Sequence, residues 1–186
     1  KWITRRLLDA RSKDVVISYY TMIDLMYKAN DDGSITQNVK GLIRINEDMS
    51  IQSIKPGYYT LQNLASVFDN SLNVISGYNC TATGSDRSLH ITGYEKTGTG
   101  KQVIATWFKD GTPTNSTTTT PITYTVEGGN FDNPVYVDVR TGEVFEVIFR
   151  SYKDRHVKNG IATHDLCALL SISDPIHFEK RLAKVA

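Results

Sequence analysis

Just past Asn70 the spacing of apolar side chains changes from steps of three and four to steps of two, and this change limits what the chain can fold into. Upstream, Lys55–Asp69 carries Tyr58, Leu61, Leu64, Ala65 and Phe68 at helical steps, with Pro56 where a first-turn proline is tolerated. The pattern predicts an amphipathic helix that docks this face on whatever follows. Downstream, Leu89 and Ile91 alternate with polar neighbours. Val103, Ala105 and Trp107 share one face of a strand, with Ile104, Thr106 and Phe108 on the other. Ile122, Tyr124 and Val126 alternate with threonines, and Val135, Val137 and Val139 with Tyr136 and Asp138. Turn signals separate these runs at Gly98-Thr99-Gly100, Lys109-Asp110-Gly111, Glu127-Gly128-Gly129-Asn130 and Thr141-Gly142. The last predicts a tight hairpin joining Val139 to Val144, with Gly142 at positive φ. Short strands at this spacing point to an antiparallel sandwich or barrel.

Before the switch, Ile3, Leu7, Leu8 and Ala10 predict a helix over residues 1–12. Val15-Val16-Ile17-Ser18-Tyr19-Tyr20 reads as a strand buried on both faces, as in a parallel sheet. Asn30–Ser34 is a loop by composition, and Leu42, Ile43 and Ile45 form an apolar piece of open type. Thr117–Thr120 reads as a solvated loop rather than an edge strand; Ile161–Leu170 and Phe178–Leu182 read as short helices. The expected fold class is therefore mainly β, an antiparallel β-sandwich preceded by a short α/β segment. The expected units are 1–70, 71–150 and a divergent tail at 151–186.

Charge narrows the partners. Twenty-one basic against 20 acidic side chains leave +1, which provides no field for a polyanion, so no nucleic acid is expected. Residues 1–14 carry five bases and two acids, net +3. No apolar run approaches the roughly 18 residues of a membrane span, so no membrane partner is expected. The opening Lys1-Trp2-Ile3-Thr4-Arg5-Arg6 has no leader-like pattern and reads as the middle of a longer polypeptide. Cys80 and Cys167, far apart and without a CxxC pair, are expected as free thiols rather than a zinc site or a disulfide.

Signatures of catalysis are missing: no GxSxG, no HExxH, no phosphate-cradling glycine loop. His90, His156, His164 and His177 are scattered, and His90 is expected to face solvent from its strand. Glycoside hydrolysis needs two carboxylates about 5–10 Å apart. The available acids are Asp31-Asp32, Glu47-Asp48, Glu143 and Glu146, the first two pairs reading as loop solubilisers. Asp24, which follows Tyr19-Tyr20 at the end of the predicted strand, has an aromatic neighbour but reads more simply as a loop or helix-cap acid. Flat exposed side chains are the other route to a sugar. Tyr78, Tyr94, Trp107, Tyr124 and Tyr136 are the candidates. Trp107 is expected in the core, and Tyr78 and Tyr94, beside Gly77 and Gly93, are expected in exposed turn-like settings. Asn79-Cys80-Thr81 and Asn115-Ser116-Thr117 fit the N-glycosylation pattern.

Lys55–Asp69 also resembles the KPxYYxxQNLASVFD helix near the end of the (β/α)8 barrel in a large clan of retaining bacterial glycoside hydrolases. Pro134–Phe145 is similar to the DxxTG hairpin of the β-sandwich that follows that barrel, and Lys1–Leu8 resembles the helix leading into the eighth strand. The resemblance spans residues 1–149 and ends there, because nothing in Asp165–Ile176 matches the clan's closing strand. It implies a C-terminal accessory region acting on polysaccharide or oligosaccharide, with no catalytic residue, no cofactor and no metal site of its own. It further implies sugar contacts from Tyr20, Asp24, Tyr78 and Tyr94, an extracytoplasmic location, and carbohydrate plus the catalytic barrel or another chain as partners. The alternatives are a stand-alone carbohydrate-binding module and a structural interaction domain of a secreted protein.

Overall fold

A computed structural model describes residues 2–27, 30–114, 120–126 and 134–146, together with the backbone of 161–163 and 167–171. The protein is mainly β. Its elements are α1 (Trp2–Ser12), β1 (Leu25–Tyr27), β2 (Thr36–Asn38), β3 (Ile43–Ile45), β4 (Ile51–Ile54), α2 (Pro56–Val67), β5 (Leu72–Val74), β6 (Cys80–Thr83), β7 (Leu89–Lys96), β8 (Gln102–Phe108), β9 (Thr120–Val126), β10 (Pro134–Asp138), β11 (Glu143–Glu146), β12 (Ile161–Thr163) and β13 (Cys167–Ser171).

Two small hairpins, β1–β2 and β3–β4, occupy the stretch between the helices. Their turns share one chemistry. In each, an asparagine N–H reaches the carbonyl of a serine four residues on (Asn30 to Ser34, Asn46 to Ser50). In each, an aspartate caps that serine's N–H at 2.9 Å (Asp32 and Asp48). Hydrogen bonds from the hydroxyls of Ser34 and Ser50, and then from their N–H groups, hold both carboxyls below the usual carboxylate range. Asp32 and Asp48 are therefore turn-forming residues.

A six-stranded antiparallel sheet, in the order β11-β10-β13-β8-β7-β5, dominates the rest, beside a three-stranded sheet in the order β12-β9-β6. The alternation read in β8 holds. Val103, Ala105 and Trp107 join Tyr94, Leu72, Val135, Val137 and Val139 in the main core, which Leu8 of α1 and Leu64 and Val67 of α2 complete. Phe108, on the other face of β8, packs with Ile122 and Tyr124 of β9, and the Tyr124 hydroxyl meets Thr106 Oγ1 at 3.3 Å.

Three sequence expectations need correction. Val15–Tyr20 is not a buried strand: Val16 is 97% exposed, and no backbone hydrogen bond ties 16–21 to another described residue. A strand buries itself only when neighbours on both sides are present, and none of the described residues supplies them. Residues 161–163 and 167–170 are not helical. They contribute β12 and β13, and β13 lies between β10 and β8. Cys167-Ala168-Leu169-Leu170 is a short apolar run whose helix propensity yields to its place in the sheet. Finally, the inward face of α2 is only partly the expected one: Leu64 and Phe68 meet the main core, but Thr60, Asn63 and Val67 are buried too, while Ala65 is exposed. The expectations at Asn115–Thr119, His156, His164, His177, Phe178–Leu182 and the Cys167 thiol lie outside the described residues; Thr120 opens β9.

Candidate functional site

The α2 face is explained by what it meets. Asn63, 7% exposed, donates from Nδ2 to the Val139 carbonyl at 3.2 Å, and Thr60 Oγ1 reaches the Arg140 carbonyl at 3.5 Å. Those carbonyls belong to the turn between β10 and β11. Asp138 builds this turn: its Oδ1 accepts the Arg140 N–H at 2.9 Å, and its carbonyl accepts the N–H groups of Thr141 and Gly142. Gly142 sits at φ +79, and a Cβ there would lie 3.0 Å from both Asn63 amide heavy atoms. The helix and the hairpin, 76 residues apart along the chain, thus form one hydrogen-bonded unit.

A second cluster stands at the end of the extended run 15–21. Asp24 is wholly buried. Its Oδ1 accepts the Gly41 N–H at 2.9 Å and the Lys55 ammonium at 2.6 Å, and Lys55 Nζ also donates to the Val39 carbonyl at 2.8 Å. Asp24 Oδ2 has no partner. Gly41 approaches so closely that a Cβ would fall 2.2 Å from the Asp24 backbone nitrogen. Lys55 is also the N-cap residue of α2, so the ion pair ties the end of the run to β3 and to the start of the helix. Asp24 is a buried clamp, not a solvent-facing acid.

Around this clamp the aromatics are exposed. Tyr20 (66%), Tyr27 (47%) and Met22 lie open, and burial together with the neighbouring Tyr27 raises the Tyr20 phenol above its ordinary value. Tyr19 donates its hydroxyl to the Lys40 carbonyl at 2.6 Å. Burial and the Asp24 charge raise the Tyr19 phenol above its ordinary value. The peptide between Tyr20 and Thr21 is cis. A cleft of about 680 Å³ opens on the same run, walled by Trp2, Ile3, Arg6, Ile17, Tyr19 and Pro113.

Tyr20 stands exposed four residues before the buried Asp24 on the same segment, and the other two expected sugar contacts lie elsewhere. Tyr94 is fully buried, edge-on to Phe68 at 5.2 Å, and burial pushes its phenol up to about 12. Gly93 lies inside β7 rather than in a turn, and the Tyr78 ring covers it so closely that a Cβ would fall 2.2 Å from the ring. The Tyr78 hydroxyl donates to Gln102 Oε1 at 3.1 Å. A tyrosine shielding a strand glycine has one face already occupied. Trp107, Tyr124 and Tyr136 are buried as well.

His90 does not face solvent freely. Its ring stacks on Trp107 at 4.2 Å, its Nε2 meets Thr92 Oγ1 at 2.8 Å, and burial lowers its pKa. Cys80 is free, and burial raises its thiol to about 11, which makes it a poor nucleophile. Glu143 accepts the Thr141 hydroxyl at 3.0 Å as part of the hairpin turn. Among the described residues no group of three His, Cys, Asp or Glu side chains is placed to hold a metal.

Sequence reading missed Asn63, Lys55 and Gly41. Only Asn63 carried a signal, as a polar residue within a helix otherwise scored by its apolar positions. Searches of known protein families, curated proteins and solved structures return no match to this chain.

Proposed function

We propose that this chain is the C-terminal accessory region of a retaining glycoside hydrolase acting on polysaccharide or oligosaccharide, its catalytic carboxylates carried by a barrel outside these residues. The observation that supports this best is the union of α2 with the β10–β11 turn. The two stretches that resemble the hydrolase clan are the two that Asn63 joins. The open run 16–21 adds to it: rich in β-branched and aromatic residues, extended, without backbone partners among the described residues, and carrying exposed Tyr20 near its end. In a parallel barrel the site forms at the C-terminal ends of strands and in the loops that follow them. On this reading, residues 22–54 are the loop between the last strand and its helix, α2. The six- and three-stranded sheets, meeting through Phe108, Ile122 and Tyr124, are the sandwich.

Retention requires two carboxylates about 5 Å apart, one as nucleophile and one as acid/base. Asp24 is engaged by Lys55 and Gly41, so its part is to hold the wall of the site. The reading of a stand-alone binding module loses its platform, since Tyr94 is buried and Tyr78 covers Gly93.

Two measurements test the proposal. The purified chain is expected to turn over no aryl glycoside, and the coding sequence upstream of Lys1 to encode some 250 residues of alternating strands and helices. Turnover by the chain alone, or an upstream sequence without that alternation, overturns it.

A further inference from the structure

We propose that the cleft between α1 and the extended run binds a planar aromatic carboxylate, with Arg6 taking the carboxylate and Trp2 and Tyr19 the ring. The inference goes beyond the hydrolase reading and does not rest on it. Three segments wall this cleft of about 680 Å³: Trp2, Ile3 and Arg6 of α1, Ile17 and Tyr19 of the run, and Pro113. Hydrogen bonds hold these walls in place. The Val15 N–H donates to the Ala10 carbonyl at 2.9 Å where the helix passes into the run, and the Tyr19 hydroxyl donates to the Lys40 carbonyl at 2.6 Å. Arg5 donates to the Gly111 carbonyl at 3.3 Å, which fastens the segment leading to Pro113 onto α1. The volume lies within the range of small-molecule sites, about 300–1,000 Å³.

Charge selects the ligand. Of the three arginines of α1, Arg5 is engaged by Gly111 and Arg11 by the Leu72 carbonyl, whereas Arg6 has no partner among the described residues. Among those residues Arg6 is also the only charged side chain lining the cleft. One unpaired guanidinium with no acid beside it fits a monoanion, and its planar fork matches a carboxylate through two parallel hydrogen bonds. A dianionic phosphate calls for a second cation, and Arg5 is held elsewhere. Trp2 lies four residues before Arg6 in α1, one turn away on the same face. It is 65% exposed and Tyr19 is 39% exposed, and neither ring contacts another ring among the described residues. Both therefore offer flat surface to a planar ring, with Ile3, Ile17 and Pro113 as apolar surroundings.

The test is an NMR titration of the purified chain with 2-naphthoate, followed at the Trp2 indole N–H, which Trp2→Phe assigns. Saturable shifts are expected with a dissociation constant of about 1 mM. Arg6→Gln should weaken binding about ten-fold and Trp2→Ala about five-fold. Both side chains are exposed. Should a variant nonetheless fail to fold, the neutral isostere 2-naphthamide replaces it: on the unmodified chain it should bind about ten-fold more weakly than the acid. Octanoate, which has the charge without the ring, should bind more weakly than 2-naphthoate, and 2-naphthyl phosphate no more tightly. Absence of saturable shifts, equal affinity for acid and amide, or undiminished binding in Arg6→Gln or Trp2→Ala overturns the proposal. So does octanoate equalling 2-naphthoate, which removes the ring, or the phosphate binding more tightly, which removes the carboxylate.

Discussion

The contact between Asn63 and Gly142 carries the strongest quantitative expectation. Removing the amide in Asn63→Ala leaves the Val139 carbonyl without its side-chain donor next to a wholly buried residue, at a cost of about 2 kcal/mol. Gly142→Ala places an L side chain at φ +79, which costs about 1 kcal/mol. Its Cβ also arrives 3.0 Å from the Asn63 amide, and displacing that amide costs about 1 kcal/mol more. Each single variant should therefore lose about 2 kcal/mol. In the double variant the displaced amide is already gone, so the total should be about 3 kcal/mol rather than 4. The coupling of about 1 kcal/mol is read from urea midpoints at unchanged m-value. Additive losses, agreeing within about 0.3 kcal/mol, would show that helix and turn are not joined through this pair.

Lys55→Met strips the buried Asp24 of its counter-ion and should destabilise by about 3 kcal/mol, while Asp24→Asn, which still accepts from Gly41, should cost less; the reverse order in thermal melts would contradict the clamp. Leu64→Asp puts a carboxylate into the main core and should cost at least about 3 kcal/mol by urea unfolding; unchanged stability would mean that α2 does not dock there. His90 has a folded pKa below its ordinary 6.5 because burial disfavours the cation. The unfolded chain then binds the proton first, so stability is complete above about pH 6.5 and declines as pH falls toward the folded value. His90→Gln should flatten that part of the profile, and an unchanged slope would place its origin elsewhere.

Much of the fold was legible because its signals are local. The helical steps of Lys55–Asp69, the period of two in Gln102–Phe108 and the Asp138–Gly142 turn are patterns that a short segment carries wherever it sits, and all three hold in the structure. The candidate site was less legible. Tyr20 and Asp24 were picked from their place behind a strand-like run. Lys55 joins Asp24 only because two hairpins fold the intervening chain back on itself. Tyr94 looked exposed from its glycine neighbour, yet a glycine also serves a strand interior when a ring such as that of Tyr78 lies over it.

What the amino-acid order determined by itself was the kind of each strongly periodic element and the chemistry of its turns, since both depend on side chains two to four positions apart. Only the tertiary structure decided that the buried face of α2 takes in Thr60 and Asn63, that Cys167–Ser171 enters the middle of a sheet, and that Val15–Tyr20 stands open. Burial belongs to a pair of surfaces, and the partner surface lies scores of residues away, where no local rhythm can announce it.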